Sequence, residues 1–184
     1  MMAARLLVVL LAARIAIMWG RDLPLSIWTP SAFLWQDFLV VLLFLAFERV
    51  IRRTWAVHVA YAALVLLIIA NLPVARVLSS PLTVPILRAA RGALSDSFRY
   101  HATAGNILAI AVVAALALLG GRIGRIGRIG RIGRDGVGKR GWAYGVALTA
   151  VAIVTLLGPV AARRVDTRGL ERNPVFSLLR TAVP

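Results

Sequence analysis

Few side chains in this sequence could do chemistry, and the ones that draw attention are charged or polar groups set inside apolar stretches. Asp37 stands between "FLWQ" and "FLVVLLFLAF", Arg14 interrupts the first apolar run, and Asn71 and Arg76 fall near the far end of a third one. Placing an ionised group in hydrocarbon is costly unless it faces a partner or water. Asp37 is therefore expected to pair with Arg14 or Arg76. Such a pair can act as a polar clamp between helices, or, with Asn71 and Arg76 beside Asp37, line a path for a proton or a substrate. Glu48 precedes Arg52 by four residues, the spacing of an ordinary helix-surface ion pair.

A second set is cationic. Arg88, Arg91 and Arg99 recur along "PILRAARGALSDSFRY" next to a stripe of Leu87, Ala90, Leu94 and Phe98. A helix over residues 81–100 would then be amphipathic and suited to lie in a membrane interface, with Ser80 or Thr83 as its cap and a proline in its first turn. Its arginines would snorkel to lipid phosphates or contact the headgroup of a lipid substrate.

Other chemistries find no support in the pattern. The two histidines, His58 and His101, have no ligand-spaced companions, so each is expected to be an interfacial or packed residue and no metal site is expected. There is no cysteine, which removes disulfides, thiolate metal sites and a Cys nucleophile. No G-x-S-x-G elbow, phosphate-cradling loop or dinucleotide fingerprint occurs, so catalysis by this chain alone is not expected, nor is a cofactor.

The elements that must position these residues are dictated by the apolarity. At 60% hydrophobic residues, only seven acidic side chains and a mean hydropathy of +0.85, the sequence is too apolar for a soluble domain of 184 residues. Five segments have about the length a spanning helix needs: residues 3–19, 33–50, 55–77, 104–119 and 142–162. The sequence thus predicts an all-α, polytopic membrane bundle over residues 1–162, with one interfacial helix and a tail helix over 163–184.

Lys and Arg in the short loops set orientation. With the N-terminus inside, the inner loops, "ERVIRR" and residues 120–141, carry ten basic residues against five in the outer ones. The tail is then extracytoplasmic.

The tract "GGRIGRIGRIGRIGR" opens the second of those inner loops. It has glycine at every third position but no proline, which excludes a collagen-like strand. Evenly spaced arginines without aromatic or base-reading residues make a nucleic-acid arm a poor fit. A flexible low-complexity loop, a spacer attracted to anionic lipid and without an amphipathic helix, is the expectation for residues 120–141.

"NLPVARVLSSPLTVPILRAARGALSDS", residues 71–97, and "ARRVDTRGLERNPVFSLL", residues 162–179, resemble the membrane region before the catalytic domain of bacterial membrane-bound sulfatase-like proteins. That alkaline-phosphatase-like superfamily includes the lipoteichoic acid synthases, which also have five spans before an extracytoplasmic enzyme domain. The resemblance implies a succeeding α/β domain holding a divalent metal and a Thr, Ser or Cys-derived nucleophile, none of which maps to a position here. The chain would then be the non-catalytic anchor of a sulfatase-like hydrolase or phospho-group transferase in the bacterial cytoplasmic (inner) membrane, either a separated piece or a module acting by itself. Its partners would be the phospholipid bilayer, anionic headgroups and a sulfatase-like domain. The alternative is a small oligomeric transporter or channel subunit.

Overall fold

The computed structural model describes residues 2–21, 26–51, 53–90, 103–129, 137–167 and 169–182, and among them it is all-helical with no strand. Seven helices are described: α1 (Met2–Met18), α2 (Thr29–Val50), α3 (Thr54–Leu78), α4 (Val84–Ala90), α5 (Ala104–Ile129), α6 (Val137–Arg164) and α7 (Pro174–Ala182). Two of them, α2 and α3, are long and apolar enough to cross a membrane; the apolar Ala104–Gly120 portion of α5 is shorter.

The hub is α1, which contacts α2, α3 and α5. Its buried positions, Ala3, Leu6, Leu10, Ala13 and Ile17 with Val9 and Arg14, recur at three- and four-residue spacing and so form one helical stripe. Facing it, α2 buries Phe33, Asp37, Val40, Val41 and Phe44 at the same period. The larger core cluster joins Leu6, Val9, Phe44, Val65, Leu72 and Val113, and a smaller one at the bundle end where α1 stops joins Ile17, Phe33, Ala75, Ala161 and Leu170. Along α2 runs α6, so close at one point that a Cβ added at Gly158 would run into the Trp35 side chain. Glycine there lets the two backbones approach, as small residues do in membrane helix pairs.

Helix ends obey local chemistry. Pro30 sits in the first turn of α2, where its missing N–H costs nothing, and the helix therefore begins at Thr29, ahead of the expected residue 33. At the start of α1, the Glu48 carboxylate accepts from the backbone N–H of Met2 at 2.9 Å and of Ala3 at 3.1 Å, capping that helix from α2. Ser79 closes α3 in the left-handed region (φ 52°), a conformation uncommon for a side chain other than glycine. Arg21 supports it: Nη1 donates to Ser79 Oγ at 2.7 Å, and Nη2 donates to the carbonyls of Ala75 and Arg76 at 3.1 and 2.8 Å.

Two segments, the glycine-arginine tract and the tail, differ from the sequence reading, and the interfacial helix is described only in part. The glycine-arginine tract is helical through Ile129, because α5 continues past its apolar portion. Each glycine costs a helix about 1 kcal/mol, but extending a formed helix needs no new nucleus. Residues 130–136 lie outside the described set. The interfacial helix is described only as α4, Val84–Ala90, residues 91–102 being outside that set. The tail is not one helix: residues 165–167 and 169–173 are non-helical, with a turn containing Gly169 (φ 80°), and α7 starts only at Pro174.

Candidate functional site

Arg14 lies one turn before the end of α1 and Asp37 two turns into α2, so antiparallel packing brings them to the same depth. They meet as a fork: Arg14 Nε donates to Asp37 Oδ2 at 2.7 Å and Nη2 to Oδ1 at 2.8 Å. Both side chains are buried, at 6% and 2% exposure. Two parallel charge-assisted bonds give both strength and direction.

The tail completes the network. Arg14 Nη1 donates to the Leu170 carbonyl, and Asn173 Nδ2 donates to Asp37 Oδ1 at 2.6 Å. The Asn173 backbone N–H donates to Gln36 Oε1 at 2.6 Å, and its side-chain oxygen accepts from the Val175 N–H at 2.9 Å. That last bond is a helix cap, with Pro174 as the first residue of α7. One fully buried side chain thus starts the tail helix and seals the ion pair. The turn is braced by a Thr167 hydroxyl bond to Glu171, and the end of α6 by Arg164 stacked 4.9 Å over the Trp28 ring.

Asn71 reaches the same region. Its Oδ1 accepts from the Leu82 N–H at 2.7 Å, fastening the α3–α4 connection. Arg14, Asp37, Asn71, Ser80 and Leu170 border a cavity of about 20 Å³. Such a space holds about one water and no larger solute. Arg76 faces elsewhere: its Nη1 donates to the Gly105 carbonyl at 2.8 Å, at the start of α5. The structure therefore joins Asp37 with Arg14 and brings Asn71 beside them, while Arg76 is turned toward α5.

Arg88 is exposed on α4; Arg91 and Arg99 fall outside the described residues, as does His101. His58 is exposed, with Nδ1 2.7 Å from the Thr54 carbonyl of its own helix. Among the described residues, no cluster of three or more His, Cys, Asp or Glu could hold a metal ion.

The contributions of Gln36, Leu170 and Asn173 are not apparent in the sequence. Asn-Pro before an apolar run is the one visible signal, since it marks a helix start. Nothing local reveals that the same asparagine faces a carboxylate more than a hundred residues away. No family model matches this chain, and neither a curated protein nor a solved structure matches it.

Proposed function

We propose that the chain is a multi-pass module of the bacterial cytoplasmic membrane that anchors and orients an extracytoplasmic sulfatase-like hydrolase or phospho-group transferase domain, without being catalytic itself. In this reading α1, α2, α3, α5 and α6 cross the bilayer, with the N-terminus cytoplasmic. The ion pair, α4 and the tail then lie at the extracytoplasmic end. Apolar side chains on outward faces support five crossings: Ile15 on α1, Leu43 on α2, Leu66 on α3, Leu118 on α5 and Leu156 on α6 are all exposed. Helices apolar on the core face and the outer face alike suit a lipid surround.

The observation that carries the anchoring role is the tail locked at Leu170 and Asn173 onto the Arg14–Asp37 fork. A chain leaving the bundle through a fixed turn holds an attached domain in a set direction, whereas a free linker would not. The same saturation favours an anchor over a small oligomeric transporter, since the Asp37 carboxylate is already engaged by Arg14 and Asn173 beside a one-water cavity. A divalent metal would belong to the anchored domain.

The DNA downstream of codon 184 tests the enzyme part. A sulfatase-like reading frame, continuous or displaced by a frameshift, is the expected result. An unrelated sequence there, with no sulfatase-like gene beside it, overturns the enzyme assignment and leaves the membrane assignment standing.

A further inference from the structure

Arg76 opens onto a feature separate from the ion-pair network. A groove of about 500 Å³ runs between the last turns of α1 and the first turns of α5, floored by Ala12, Ala16 and Ala109 and flanked by Leu108 and the exposed Trp19. That is the size of a site for a small organic molecule, within roughly 300–1,000 Å³. Further toward the other end of the same helix pair the gap is closed, with Leu6, Val9 and Ala117 buried.

The groove is apolar except at one end, where Arg76 stands. One guanidinium nitrogen is spent on the Gly105 carbonyl, and among the described residues no carboxylate pairs with the group. A positive fork at the mouth of an apolar slot matches a ligand with the opposite arrangement, an anionic phosphate joined to a hydrocarbon chain. Trp19, just past the end of α1, has the amphipathic ring found at the headgroup level of bilayers.

We propose that this groove is a binding site for an anionic phospholipid of the extracytoplasmic leaflet, its phosphate on Arg76 and one chain between α1 and α5. The site rests on the membrane reading above and is independent of the enzyme-anchoring role.

Native mass spectrometry of the delipidated full chain in detergent tests it, with phosphatidylglycerol, phosphatidylcholine or inorganic phosphate added. Phosphatidylglycerol is expected to bind the wild type and Arg76→Lys. Loss of the charge-assisted contact in Arg76→Gln should weaken that binding about tenfold. Filling the groove in Ala109→Leu should do the same without touching the charge. Phosphatidylcholine should bind about tenfold more weakly than phosphatidylglycerol, and millimolar phosphate should not displace the lipid. Circular dichroism checks the helices, and where one variant loses them the other decides. Equal retention of the two lipids, wild-type binding by the folded variants, or displacement by phosphate would each overturn the site. A reporter showing a cytoplasmic tail would overturn the extracytoplasmic-leaflet assignment together with the topology, whereas loss of the enzyme-anchoring role alone would leave the lipid site standing.

Discussion

The side-chain amide of Asn173 donates to Asp37 at 2.6 Å across 136 residues of sequence, so the tail and the ion pair between α1 and α2 form one network. Neither part is complete alone: without the tail, Asp37 loses a donor and Arg14 loses the Leu170 carbonyl as acceptor. Burying charge is costly, and it is offset only when the remaining lone pairs and protons are also satisfied. The tail supplies that satisfaction.

Replacing Asp37 by Ala should destabilise the bundle by about 3–5 kcal/mol, because it leaves the Arg14 guanidinium buried without its counter-ion. Arg14→Met combined with Asp37→Leu should cost less than Asp37→Ala, since no uncompensated charge remains. Denaturant unfolding in micelles, monitored by circular dichroism, measures both. A double variant weaker than the single would show that the pair is more than mutual compensation.

Asn173→Ala removes the α7 cap and the amide donor to Asp37 together. About 1–3 kcal/mol should be lost, concentrated in the tail. Hydrogen exchange should rise over residues 169–176 and stay low in the middle of α2 and α3. Combining it with Asp37→Asn should give a coupling of about 0.5–3 kcal/mol, as for contacting residues. Strict additivity would mean that the two act separately.

Much of the scaffold is legible from apolar runs alone. The bounds of α1 and α3 fall within a residue of those drawn from hydropathy, because long apolar helices announce themselves by composition. The Arg14–Asp37 pairing is visible too, as one of two arginines that an intramembrane carboxylate would seek. Which one it is depends on helix order in space, and Arg76 instead turns to Gly105. Gln36 and Asn173 carry no charge and so give no electrostatic signal. The tract after Gly120 misleads for a different reason: glycine content argues for a loop locally, while helix continuation from Ala104–Gly120 is a cooperative effect outside the window.

Gly158→Leu should be more damaging than a surface change. Even a methyl at this position collides with Trp35, and the Trp35 indole nitrogen is already buried with no partner among the described residues. Overpacking of this kind costs about 1–3 kcal/mol. Trp35→Ala, introduced together with Gly158→Leu, should recover part of the loss by vacating the space. Thermal unfolding of the single variants, the double variant and wild type decides, and absence of recovery would place the damage outside the α2–α6 contact.

The proposed topology depends on more than the arginine repeat. Deleting two GRI units removes two of the ten basic residues on the inner side, which still leaves eight against five outside. Orientation tracks such differences under the positive-inside bias, so it should persist. A reporter active only outside the cytoplasm, fused after Pro184, should therefore remain active in the deletion as in the full sequence. The paired fusion to a cytoplasm-only reporter should stay silent in both. Reversal of the two signals on deletion would make the repeat itself the determinant of orientation, and reversal already in the full sequence would place the Asn173-docked tail on the cytoplasmic side.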